Sequence, residues 1–170
     1  FLPFEKILRQ IGLKNITNNY QSYSRAEKRN ISEINKFSLS IKLLPIICYE
    51  IIYSGNIFDD RNFDFIINIS EDGWFGQSIG PQQHFAHSIY RAIESGKYIL
   101  RSANNGITAI VNPLGIVEKQ VDLNQSGYVD FIESKKIRPT IFSKYGNKIF
   151  GLMILLYILL IFSFNRIKNE

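Results

Sequence analysis

The sequence has a single cysteine, Cys48, so no disulfide can form within the chain and pairing says nothing about redox compartment. It has no internal repeat, no Gly/Ser linker and none of the short RNA-binding or helix-turn-helix signatures. A hydrophobic share of 45% against a charged share of 21% excludes a disordered segment. Neither an initiator methionine nor a signal-peptide pattern stands at Phe1-Leu2-Pro3-Phe4, so the expectation is that either something was removed upstream or the chain is a fragment. A length of 170 residues suits one domain plus a short appendage. The net charge of +5 and pI of about 9.3 suit work near anionic lipid or nucleic acid. The basic residues are scattered, however (Lys6, Arg9, Lys14, Arg25, Lys28, Arg29, Lys135, Lys136, Arg138), which favours a solvated basic face over a nucleic-acid groove.

Patterning predicts a layered α/β or α+β domain. Phe4 to Gly12 reads as a short amphipathic helix stopped by glycine, and residues 13–37 as a long polar surface loop. Leu39, Ile41 and Leu43 alternate with polar neighbours and lead through Pro45-Ile46-Ile47, a strand ending at Cys48. Phe63 to Ser70 is a second strand. Gly80-Pro81 opens a helix through Glu94 with Phe85, Ile89, Ala92 and Ile93 on one face, and Gly96 ends it. Tyr98 to Ser102, Ile107 to Val111, Ile116 to Val121 and Tyr128 to Ile132 read as strands, with a tight turn at Pro113-Leu114-Gly115.

From Ile149 to Asn165 the chain carries no charge over 17 residues, roughly 25 Å as a helix. Lys148 and Arg166 flank it and could snorkel outward, so a transmembrane helix is expected; a buried core helix is the plainer alternative.

Several residues could carry chemistry. Cys48 follows a strand, where a thiol at a strand-to-helix turn is exposed and feels a helix N-terminus; a lone cysteine is otherwise a small buried hydrophobe. Glu50 could orient a substrate amine, and the Tyr49 backbone N–H could donate to an oxyanion beside the sulfur. Trp74 and Phe75, in Ser70-Glu71-Asp72-Gly73-Trp74-Phe75-Gly76, suit a loop at the mouth of a site that meets an apolar ligand. The alternative anchors Trp74 in the core and leaves Glu71 and Asp72 in water. His84 and His87 share a helix face, but the run is not H-E-x-x-H, so no metal is expected. Arg91 and Glu94 read as an ion pair or a brace, and Arg101 to Gly106 as a turn whose asparagines could tie loops together.

In order, PIICYE (45–50), NISEDGWFG (68–76), SIGPQQH (78–84) and RAIESGKYILRSANNGITAIV (91–111) resemble the C-terminal half of bacterial apolipoprotein N-acyltransferases, of the nitrilase or carbon–nitrogen hydrolase superfamily. The resemblance covers roughly residues 1–165. It implies a partial nitrilase-like αββα sandwich over 1–142, then a transmembrane helix and basic tail over 143–170, on the periplasmic side of a bacterial inner membrane. It also implies a ping-pong reaction without cofactor or metal. Cys48 takes an acyl chain from phospholipid as a thioester and passes it to the amine of an apolipoprotein's diacylglyceryl-cysteine. Cys48 and Glu50 are then the catalytic residues, Tyr49 supplies the oxyanion N–H, and Trp74, Phe75 and His84 border the substrate, with no part for nucleic acid.

The chain departs from that family in two respects. The family's general-base Glu and oxyanion Lys precede the segment matching Phe1-Leu2-Pro3, so the chain alone is expected to be inactive; Lys42 lies on the strand instead. Glu71 stands where the family commonly has Asn. A nitrilase-type amidase and a non-catalytic membrane-tethered remnant are the competing readings.

Overall fold

The computed structural model describes residues 29–36, 39–55, 62–132 and 137–168. Six strands form one sheet in sequence order: β1 (Ser32–Lys36), β2 (Leu39–Ile47), β3 (Phe65–Glu71), β4 (Tyr98–Asn104), β5 (Thr108–Val111) and β6 (Val117–Val121). The central pairs β2–β3 and β3–β4 are parallel, and the flanking pairs are antiparallel. The β3–β4 crossover is the helix α1 (Gly80–Ser95), as a parallel connection requires. Gly96 ends α1 in the left-handed region at φ 66°, where glycine carries no Cβ penalty.

The period of two in the strands decides what each sheet face holds. Leu44 and Ile46, Ile66, Ile99, and Ala109 and Val111 turn to one face and meet Phe85 and Ala92 of α1, closed by Ile51 and Phe63. The other face stays partly open, with Ile47 and Ile69 exposed, and Ile67, Leu100, Ile110 and Phe131 line a cavity of about 320 Å³ there. At the Pro113-Leu114-Gly115 turn, Asn112 Oδ1 accepts from the backbone N–H groups of Leu114 and Ile116 at 2.9 and 3.1 Å.

Two expectations about the strands change, and two others are not reached. The amphipathic helix at Phe4 to Gly12 and residues 13–28 of the polar loop lie outside the described residues, and Ser32–Lys36 of that loop is the edge strand β1. Tyr128 to Ile132 forms no strand. Phe131 is held by its ring against Phe65 and Tyr98, at 5.3 and 4.9 Å between centroids, and the segment's backbone is caught by Lys119 Nζ donating to the Asp130 carbonyl at 2.8 Å.

The expected transmembrane helix is overturned. After a short α2 (Ile141–Tyr145), α3 runs Lys148–Lys168, and no helix among the described residues is long and apolar enough to cross a membrane. The charge-free stretch of 17 residues falls short of the roughly 20 that a hydrocarbon core demands, and α3 reaches 21 residues only by including Lys148, Arg166 and Lys168. In place of the expected partial αββα sandwich, the described residues form a single six-stranded sheet with α1 on one face.

Candidate active site

The carboxyl ends of parallel strands, where ligands gather in α/β sheets, hold the candidate site. At the end of β2 the chain reverses through Cys48, whose φ of +49° is left-handed backbone that a non-glycine residue adopts at a cost. A five-residue 3-10 turn (Cys48–Ile52) follows, too short to supply much of the helix field expected from the sequence. Two side chains fix this reversal. Glu50 Oε2 accepts from the Ile47 N–H at 2.8 Å, while its Oε1 pairs with Arg29 Nη2 at 3.0 Å. Asn68 Nδ2 donates to the carbonyls of Ile46 and Cys48, at 3.1 and 3.4 Å. The cysteine stays partly exposed.

Beneath the sulfur lies a buried polar network that alternate residues of β3 and its extension, Asn68, Ser70 and Asp72, send to the α1 face. Asp72 is fully buried and accepts from side chains on β3, α1 and β4. Ser70 Oγ and His84 Nδ1 donate to Oδ1 at 2.7 and 2.8 Å, and Arg101 Nη2 donates to Oδ2 at 2.7 Å. The histidine tautomer follows, because an ionised carboxylate only accepts. Burial pushes the Asp72 carboxyl up, but the His84 and Ser70 hydrogen bonds and the Arg101 charge outweigh it and hold the value at about 2. Burial pulls the Arg101 guanidinium down, opposed by Asp72 and then by the nearby Cys48 sulfur. Arg101 Nη1 also donates to Asn68 Oδ1 and, at 3.4 Å, to Ser88 Oγ. Ser70 Oγ reaches Cys48 Sγ at 3.6 Å, and that sulfur lies 4.0 Å from the Glu71 carbonyl.

An aromatic rim covers this network. The His84 ring lies 5.2 Å from Tyr49 and 5.7 Å from Phe75, centroid to centroid. Phe75 sits on Gly80 so closely that a Cβ there would stand 2.4 Å from its ring. Trp74 projects into solvent, 87% exposed. Glu71 closes the loop, its carboxylate accepting from the Gly73 N–H at 2.8 Å and from Asn104 Nδ2.

The structure therefore brings Cys48, Tyr49, Phe75 and His84 together, whereas Glu50 faces Arg29 and the backbone of its own turn. His84 is 2% exposed and lies behind Tyr49 instead of lining open surface. The plainer expectation for the loop is reversed on both counts, since Trp74 is exposed and Asp72 buried. Arg101, expected near the end of the strand Tyr98 to Ser102 with no part in a site, is the central donor of the network. The missed signal was the alternation Asn68-x-Ser70-x-Asp72, a polar stripe continuing the inward face of Ile66. Among the described residues, no group of three or more His, Cys, Asp or Glu side chains is arranged to hold a metal ion. Arg91 Nε does lie 3.0 Å from Glu94 Oε2, and Glu94 Oε1 accepts from the Gly55 N–H at 2.8 Å, so this pair braces the segment after the Cys48 turn.

A partly exposed cysteine at a parallel strand end, over a buried Asp–His–Arg network, defines an α/β domain with a cysteine-centred candidate site. The carbon–nitrogen hydrolase family model matches residues 15–132, and the chain belongs to that family. It is 45% identical over 139 residues to the apolipoprotein N-acyltransferase of Rickettsia bellii (strain RML369-C), covering 81% of this chain and 27% of that protein. The apolipoprotein N-acyltransferase of Rickettsia prowazekii (strain Madrid E) is 38% identical over 172 residues, covering 100% of this chain and 34% of that protein. The chain thus spans only about a third, or less, of these relatives' length. A solved cysteine-to-alanine mutant of the Nesterenkonia AN1 amidase, from the nitrilase superfamily, aligns with a TM-score of 0.43 and 13% identity over 61% of this chain and 41% of that one.

Proposed function

We propose that the protein is an apolipoprotein N-acyltransferase in which Cys48 carries the acyl group. The observation that supports this most is the partly exposed Cys48, held at a strained strand end by Asn68 and Ser70 beside an aromatic rim. A thiolate suits both half-reactions, because it attacks an ester well and leaves readily from a thioester.

In the first half-reaction the Cys48 sulfur attacks the ester carbonyl of a phospholipid. A C–S bond forms, the C–O bond breaks, and the lysophospholipid alkoxide leaves with a proton. The Tyr49 backbone N–H donates to the transient oxyanion. In the second, the α-amine of a diacylglyceryl-cysteine at a lipoprotein N-terminus attacks the thioester. A C–N bond forms, the C–S bond breaks, the sulfur departs as thiolate and the amine gives up a proton. Glu50 keeps the Cys48 turn in shape, and Trp74 and Phe75 meet the acyl chains at the rim. The reaction belongs at the periplasmic surface of the bacterial inner membrane, where donor and acceptor both lie.

Membranes from cells expressing the complete gene, mixed with phospholipid and a synthetic diacylglyceryl-cysteine peptide, test this reading. The peptide gains one acyl mass, and Cys48→Ala abolishes the gain. Undiminished transfer by Cys48→Ala, or turnover of small amides with no transfer to the peptide, overturns it.

A further inference from the structure

Ser70 is 6% exposed, and its hydroxyl lies between two groups that both call for its one hydrogen: Asp72 Oδ1 at 2.7 Å and Cys48 Sγ at 3.6 Å. Asp72 does not depend on that hydrogen, because His84 Nδ1 and Arg101 Nη2 also donate to it. While the sulfur is a neutral thiol, the short charge-assisted bond to Asp72 takes the Ser70 hydrogen, and the hydroxyl oxygen faces the sulfur as an acceptor. Once the sulfur is anionic, it becomes the second charged acceptor in reach. The hydroxyl can then rotate toward it while Asp72 remains satisfied from two sides.

We propose that Ser70 is a positioning residue for Cys48, fixing the sulfur at the strand end and turning its hydroxyl hydrogen to it when the thiolate forms or is released from a thioester. This rests on the reading of Cys48 as the acyl-carrying nucleophile. Ser70 itself touches no substrate. The charged and titratable groups around the sulfur are Glu71 and Asp72 at the end of β3, Arg101 on β4, His84 on α1, and Glu50 with its partner Arg29 at the turn. A substitution of Ser70 removes one of three side-chain donors to Asp72 and leaves the His84 and Arg101 bonds to it.

The test is the rate at which iodoacetamide alkylates Cys48, followed across pH by mass spectrometry of the tryptic peptide Leu43–Arg61, with Ser70→Ala and Ser70→Thr compared. No lipid is needed, so the result is independent of the acyl-transfer assay. In the pH range where the rate still rises with pH, Ser70→Ala is expected to react about fivefold more slowly, the size of one ordinary hydrogen bond. The high-pH plateau is unchanged, and Ser70→Thr, which restores a hydroxyl, recovers most of the loss. Thermal melts confirm that both variants fold. A Ser70→Ala curve that overlays the unsubstituted one, an equal loss at every pH including the plateau, or a folded Ser70→Thr as slow as Ser70→Ala overturns the proposal. A Ser70 effect on alkylation with no acyl transfer anywhere would instead leave the positioning role and remove the acyltransferase reading.

Discussion

Arg101 Nη2 donates to Asp72 Oδ2 over 2.7 Å with both side chains wholly removed from solvent. The desolvation of two charges is offset here by a complete set of partners, since Asp72 also receives Ser70 and His84 while Arg101 also reaches Asn68, Ser88 and the Ile107 carbonyl. The network joins β3, β4 and α1 directly beneath the sulfur, so its integrity and the position of Cys48 are coupled.

Removing one member leaves the other charge buried without its counterpart. Asp72→Ala is expected to cost about 3–5 kcal/mol in urea unfolding. Replacing both charges, as Asp72→Leu with Arg101→Met, costs clearly less than the sum of the two single changes. Additive losses would show that the pair is not coupled.

Acid should act through the same carboxylate. The folded value of Asp72, about 2, lies below its ordinary 3.8, so its contribution is complete above pH 4 and is lost as the pH falls through 2. The contribution is roughly 2 kcal/mol at neutral pH. Urea midpoints of the unsubstituted protein and Asp72→Asn, compared at pH 6 and pH 2, should therefore converge at the lower pH. A constant gap would refute this assignment.

Gly106 tests the space around that carboxylate. A Cβ on Gly106 would stand 2.3 Å from Asp72 Oδ2 and 2.7 Å from its Cβ. Since the Asp72 side chain is held from three sides, it cannot swing away. Gly106→Ala is expected to destabilise the protein by about 2 kcal/mol, measured by thermal or urea unfolding.

Much of this architecture is legible in the sequence, for a physical reason. The apolar alternation of Leu39 to Ile47 and the Gly80-Pro81 start with the Gly96 stop are local signals, and β2 and α1 form where those signals lie. Cys48 at a strand end follows from the same local pattern. Asp72 and Arg101 were not legible as partners, because their pairing depends on the parallel register that sets Asn68 beside Arg101 across β3 and β4. A polar residue in a glycine-flanked loop looks solvated until a neighbouring strand covers it. The Tyr128 to Ile132 segment misled in the opposite sense, since its alternation serves side-chain anchoring through Phe131 and no ladder forms.

The left-handed backbone of Cys48 makes a separate forecast about strain. Glycine tolerates φ +49° at no steric cost, whereas alanine keeps the penalty. Cys48→Gly is expected to be more stable than Cys48→Ala by about 1 kcal/mol in urea unfolding, the reverse of the usual order at an extended or helical position. Equal stabilities would mean that the reversal at residue 48 stores no strain.

The central claim is that the sulfur of residue 48 holds a fatty acyl group, and the mass of one peptide tests it most directly. After the product of the complete gene is incubated with phospholipid and no acceptor, the tryptic peptide Leu43–Arg61 should carry a single acyl adduct that neutral hydroxylamine removes, as a thioester requires. An unmodified peptide under conditions that support acyl transfer to the lipopeptide, or an adduct on another residue that persists in Cys48→Ala, would contradict the account.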